Sequence, residues 1–154
     1  MKILFVCHGN ICRSPMAEFI FKDILRKCGR YDDFTVESKA TSAEELGNPI
    51  YPPARAELEK HGISYGKHAA VRITPADYGR YDMIIGMDAR NLTNMNRIFG
   101  GDPENKIFKL MDFTERGGDV SDPWYTDRFD IAYRDIFEGC EALFREITAK
   151  RYGK

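Results

Sequence analysis

Apolar positions fall into short unbroken runs and helical stripes that alternate along the chain. The run Ile3-Leu-Phe-Val6 has the length and composition of a buried strand. Beyond Pro15, residues Met16, Phe19, Ile20, Ile24 and Leu25 repeat at helical spacing, and that stripe closes near Gly29. Ser14-Pro15 reads as the helix start, with Ser14 as N-cap and Pro15 in the first turn. Phe34 to Ser38 alternates and is β-rich, which predicts a second strand. Lys39 to Pro53, holding Gly47 and three prolines, reads as a long loop before a short helix over Pro53–Lys60.

A capped helical turn is expected at Ile73–Asp77, and a further buried strand at Tyr81–Met87. A helix then runs through Leu92 and Ile98 to Gly100-Gly101. Lys106–Leu110 reads as the last strand and Glu115–Asp127 as a turn-rich loop. The most regular stripe is the last, with Tyr133, Ile136, Phe137, Cys140, Leu143, Phe144 and Ile147 on one helix face. Strands alternating with helices predict a parallel α/β sheet covered on both faces. In such sheets ligands bind beyond the carboxyl ends of the strands.

The segment Cys7-His-Gly-Asn-Ile-Cys-Arg-Ser14 sits at one such end. Gly9 and Asn10 permit a tight backbone path, and a helix N-terminus follows, so amide N–H groups and the helix dipole favour an anion there. Cys7 reads as a thiolate nucleophile, because a helix N-terminus and a nearby guanidinium both stabilise thiolate over thiol. Arg13 can hold two oxygens of a phosphoryl group at once, and successive N–H groups of residues 8 to 13 can take the others. The nucleotide-binding Gly-x-x-x-x-Gly-Lys-Ser/Thr pattern is absent. A phosphocysteine route also needs a proton for the leaving group. Asp122, held extended by Pro123, can supply it; Asp88, Asp112 and Asp119 are equally eligible on residue type alone.

Composition narrows the alternatives. With 154 residues there is one domain's worth of chain, and 43% apolar with 31% charged residues is ordinary for a soluble protein. A net charge of −1 gives no overall field for nucleic acid or an anionic membrane. Lys2 precedes too few apolar residues for a signal-peptide core, and no stretch is long enough to span a bilayer. Four cysteines are too sparse for a disulfide scaffold, so the expected setting is the reduced cytoplasm. His8, His61 and His68 show no zinc-type spacing with them.

Cys7-His-Gly-Asn-Ile-Cys-Arg-Ser-Pro15 near the start, with Asp122-Pro123-Trp124-Tyr125 near the end, resembles the low-molecular-weight protein tyrosine phosphatase family. The likeness continues through Gly47-Asn-Pro-Ile-Tyr-Pro-Pro53 and Met87-Asp88 with Asn91-Leu92. It implies one domain over residues 1–154 with a three-layer α/β/α fold and a four-stranded parallel sheet. It also implies hydrolysis of phosphotyrosine and small aryl phosphates without metal or cofactor. On this resemblance Cys7 attacks phosphorus, Arg13 binds the phosphoryl group and Asp122 acts as general acid and then base. His8, Gly9, Asn10, Ile11, Cys12, Ser14, Trp124 and Tyr125 would contact the substrate or its phosphate. Ser14 would hydrogen-bond the thiolate, and Asn10, Ser38 and His68 would brace the loop.

The resemblance further implies tyrosine-phosphorylated protein substrates, inhibition by phosphate or vanadate, and a monomer or weak homodimer. A reversible Cys7–Cys12 disulfide would guard the nucleophile. Two departures stand out. Ser42-Ala-Glu-Glu-Leu46 lacks the aromatic of the family's second cleft wall, and Ser38-Lys-Ala-Thr41 replaces the usual Ser-Ala-Gly-Thr. Arsenate reductases share the fold but need relay cysteines, and none lies between Cys28 and Cys140. Arginine-specific phosphatases carry Thr at the position of Ile11, whose apolar bulk favours an aryl phosphate. A non-catalytic phosphate-binding module would need neither Cys7 nor Asp122.

Overall fold

The computed structural model describes residues 1–152. Strand β1 (Lys2–Cys7) lies inside a four-stranded parallel sheet of order β2-β1-β3-β4. Its neighbours are β2 (Thr35–Ala40) and β3 (Met83–Gly86), with β4 (Ile107–Lys109) beyond β3. Alternation along β1 feeds two cores. Ile3, Phe5 and Cys7 join the larger one, built with α1 (Arg13–Lys27), α2 (Pro52–Lys60) and α5 (Phe129–Tyr152). Leu4 and Val6 join the smaller one, closed by α3 (Ala89–Phe99) and the 3-10 turn Pro75–Arg80. The result is a three-layer α/β/α fold. Both faces of β1 are dry, which is why its sequence is a continuous apolar run.

The chain leaves β1 toward β2 and later returns on the other side as β3, so the order reverses at β1. A crevice opens there beyond the carboxyl end, where Cys7 ends the strand. One glycine is essential to that end of the sheet. A Cβ on Gly86 would lie 2.9 Å from Met95 Cε and 3.0 Å from Asn91 Cβ, so only glycine lets α3 pack this closely on β3.

Several boundaries differ from expectation, each for a local reason. Ser14 does not cap α1: the N-cap is Cys12, and Ser14 lies in the first turn with its hydroxyl directed at Cys7. Strand β2 continues to Ala40 because Cys7 pairs with Ala40 and a bridge joins Ala40 to Arg72. Helix α2 starts at Pro52, whose missing N–H costs nothing at a first helical position. Leu110 leaves β4 to begin the 3-10 turn Leu110–Phe113, whose Leu110 and Met111 are buried. Within the expected loop 115–127 lies a single helical turn, α4 (Pro123–Thr126), capped by Asp122. Among the described residues no helix is long and apolar enough to cross a membrane.

Candidate active site

Residues 8 to 12 wrap around the Cys7 sulfur between β1 and α1. Asn10 makes the wrap possible: its backbone is left-handed (φ 59°), a conformation asparagine tolerates better than most residues. The Sγ atom then lies 3.0 Å from Ser14 Oγ, 3.3 Å from the Asn10 N–H nitrogen and 3.4 Å from that of Ser14. Asn10 is wholly buried and bonds to four residues besides Cys7. Its Nδ2 donates to Ser14 Oγ and Ser38 Oγ, its Oδ1 accepts from the Val71 N–H, and its carbonyl meets His68 Nε2 at 2.7 Å. Ser38 and His68, which the resemblance names as braces of the loop, each contact Asn10. Lys39, the departure beside Ser38, points to the opposite sheet face and pairs with Asp77 at 2.9 Å.

Asn10 and Ser14 direct their amides at sulfur. Among the described residues, the N–H groups of His8, Gly9, Ile11 and Cys12 donate to no protein acceptor, which leaves them for an anion over the thiol. Arg13 crosses the mouth of the loop at 2% exposure. Its Nη1 donates to Asp88 Oδ2 at 2.8 Å and to the Val120 carbonyl at 2.9 Å, while Nη2 is a loose 3.4 Å from Asp122 Oδ2. One edge of the fork is therefore anchored and the Nε–Nη2 edge faces the cleft. Burial opposes the guanidinium charge, but Cys7, Asp122 and Asp88 outweigh it and push the pKa further up.

The structure separates the four candidate carboxylates. Asp88 caps α3 by accepting from the Asn91 N–H and anchors Arg13. Asp119 is committed to Lys109 at 3.1 Å and to the Ala89 N–H. Asp112 is exposed and lies 3.9 Å from Lys109. Only Asp122 lines the cleft over Cys7. One of its oxygens accepts from the Trp124 N–H at 3.0 Å, and the other faces Arg13 and the opening.

The cleft encloses about 320 Å³. Trp124 and Tyr125 form one wall, with Trp124 leaning on Tyr51 at 5.0 Å between ring centroids and Tyr125 at 80% exposure. The facing wall carries Glu44 and Glu45, and His8 Nε2 meets Glu44 at 2.9 Å on the rim. Ile11 lines the cleft between these walls, and Arg90 adds a cation at its edge. Cys12 is buried in the same loop as a free thiol. Burial first, then the negative charges of Cys7 and Asp122, hold that thiol protonated far above the ordinary cysteine range. Among the described residues no group of three or more His, Cys, Asp or Glu could hold a metal ion.

Sequence reasoning missed two supports. Tyr51, hidden in a proline-rich stretch, carries no signal of contact with Trp124. Glu18 accepts from Ser38 Oγ at 2.7 Å; its only trace in the sequence is its place one helical turn after Ser14. Together these groups can hold a tetrahedral oxyanion against a sulfur nucleophile, with a proton donor on the outer side.

The family described as low molecular weight phosphotyrosine protein phosphatase matches residues 2–152. Low molecular weight protein-tyrosine-phosphatase YfkJ of Bacillus subtilis is 35% identical over 153 residues, covering 98% of both chains. Its crystal structure aligns with a TM-score of 0.94 at 36% identity, over 97% of this chain and 96% of that one. The Schizosaccharomyces pombe low molecular weight phosphotyrosine protein phosphatase is 36% identical over 158 residues, covering 96% and 97%. The crystal structure of DARP, a Drosophila arginine phosphatase, aligns with a TM-score of 0.84 at 30% identity, over 96% and 98%.

Proposed function

The chain belongs to the low molecular weight phosphotyrosine protein phosphatase family, and we propose that it works by covalent catalysis on Cys7. The Cys7 thiolate attacks the phosphorus of a phosphotyrosine while Asp122 gives its proton to the departing phenolate oxygen. A phenol has a pKa of about 10, so unassisted departure near neutral pH is slow. Phosphoryl oxygens lie against the free loop amides and the Nε–Nη2 edge of Arg13, donors fixed before the reaction starts. Asp122, now a carboxylate, takes a proton from the water that cleaves phosphocysteine, which releases phosphate and restores the thiolate. The observation that carries this reading is the cleft itself. Its floor is a sulfur that accepts from the Asn10 and Ser14 N–H groups and touches the Ser14 hydroxyl, and Asp122 stands on its wall.

Residues 1–154 act on this reading as one domain on tyrosine-phosphorylated proteins in the cytoplasm, as a monomer or weak homodimer, without nucleic acid, membrane, metal or cofactor. Phosphate and vanadate compete for the loop. Arginine phosphatase activity, named for DARP, is the second reading. Ile11, an apolar side chain lining the cleft, favours an aromatic ring over a guanidinium. Peptides of one sequence carrying phosphotyrosine or phosphoarginine decide between them. A preference of about tenfold or more in kcat/KM for phosphotyrosine is expected; the reverse order would reassign the substrate.

Cys12 fits a protective role. When peroxide converts Cys7 to a neutral sulfenic acid, one cause holding the Cys12 thiol protonated disappears. Its sulfur then displaces water from Cys7–SOH to form the disulfide. Peroxide-treated protein should recover activity with added thiol, whereas Cys12→Ser protein should stay inactive. Equal recovery of both would remove Cys12 from this role.

A further inference from the structure

A chain of hydrogen bonds runs from the surface to the Cys7 sulfur, and Glu18 stands at its outer end. Glu18 is 9% exposed on α1, where Oε2 accepts from Lys22 at 2.6 Å and Oε1 from Ser38 Oγ at 2.7 Å. An ionised carboxylate only accepts, so the single hydroxyl hydrogen of Ser38 is committed to it. Ser38 Oγ must then accept, and it does so from Asn10 Nδ2 at 3.0 Å. The second hydrogen of Nδ2 goes to Ser14 Oγ at 2.8 Å, while the Val71 N–H fixes Oδ1 on the far side. Ser14 therefore accepts from Asn10 and has its own hydrogen for Sγ, 3.0 Å away. A thiol sulfur accepts such a bond only weakly, so this direction favours the thiolate.

The competing arrangement turns the Asn10 amide over, so that Ser14 and Ser38 both donate to Oδ1. Ser14 could then accept from Cys7–SH. But the turned amide would set Nδ2 against the Val71 N–H, and Ser38 Oγ would face the Glu18 carboxylate at 2.7 Å with no hydrogen between them.

We propose that Glu18 is a positioning residue that sets the direction of this hydrogen-bond chain, so that Ser14 donates to the Cys7 sulfur and favours the thiolate. The proposal rests on Cys7 being the nucleophile. It makes a distinctive demand on sign. Glu18→Gln removes a negative charge and frees Lys22, and both changes would by Coulomb attraction favour thiolate. The other charged or titratable groups around the chain stay in place: Arg13 with its partners Asp122 and Asp88, His68 on the Asn10 carbonyl, and Asp32 and Glu37, which line a surface hollow with Glu18. A glutamine amide can donate to Ser38, which leaves the Val71 N–H alone to oppose the turned arrangement and shifts the balance toward thiol.

The test is alkylation by iodoacetamide, located on the Cys7 peptide by mass spectrometry. Glu18→Gln should react about tenfold more slowly than the parent at about pH 6 and match it at about pH 9, the scale of one hydrogen bond to a charged group. In a Ser14→Ala background the same substitution should add no further slowing. Equal or faster reaction at the lower pH, or the same slowing with and without Ser14, overturns the proposal. Should Glu18→Gln not fold, Ser38→Ala removes the same link, and a parental rate there overturns it. A parent chain whose Cys7 is not the reactive thiol would instead bring down the nucleophile assignment and this proposal with it.

Discussion

Cys7→Ser protein is expected to lose aryl phosphate hydrolysis by about 10⁴-fold or more while still binding inorganic phosphate. The substitution exchanges a sulfur that three donors can hold as thiolate for a hydroxyl that stays protonated near neutral pH. The anion cradle is untouched, because the loop amides and the Nε–Nη2 edge of Arg13 do not depend on the sulfur. Initial rates with para-nitrophenyl phosphate and calorimetric titration with phosphate measure the two properties separately. Undiminished turnover would end the assignment of Cys7. Loss of phosphate binding would mean that the loop needs the thiolate to keep its shape.

Asp122→Asn is expected to reveal the general acid through the leaving group. Asparagine keeps the side-chain oxygen that accepts from the Trp124 N–H, so α4 retains its cap. It has no acidic proton to give. With tyrosine-like phenols kcat/KM should fall about 10²–10³-fold, within the range for positioned proton transfer. With nitrophenols, which leave readily as anions, the loss should be several-fold smaller. A plot of log kcat/KM against leaving-group pKa should therefore be steeper in the variant. Equal losses across the series would move the proton donor elsewhere, and Asp88 would be examined next, although it is committed to Arg13 and the α3 cap.

Much of this site was legible because local rules and the fold agree on it. The apolar run at β1, the Gly9-Asn10 turn and the helix after Pro15 each announce themselves within a few residues. Together they place Cys7 and Arg13 at the sheet's binding edge. What stayed hidden depends on partners far along the chain. Ser14 has the look of an N-cap, yet its hydroxyl is taken by Cys7 and Asn10, and no spacing rule shows that competition. Asp122 was one of four eligible carboxylates until Lys109, Ala89 and Asn91 were seen to occupy others. Glu18 is 20 positions before Ser38, and only the packing of α1 against β2 makes them partners. The acidic facing wall was readable from Glu44 and Glu45, but the His8–Glu44 pair on the rim needed coordinates.

The proposed reaction passes through a covalent phosphocysteine on Cys7. Rapid mixing of the enzyme with an aryl phosphate, an acid quench within the first turnover and mass spectrometry of the peptides test it directly. A phosphoryl group is expected on the Cys7 sulfur, formed as fast as the first phenol is released and absent from Cys7→Ser protein. Phenol release in a first-turnover burst with the phosphoryl group on another residue, or on none, would contradict it.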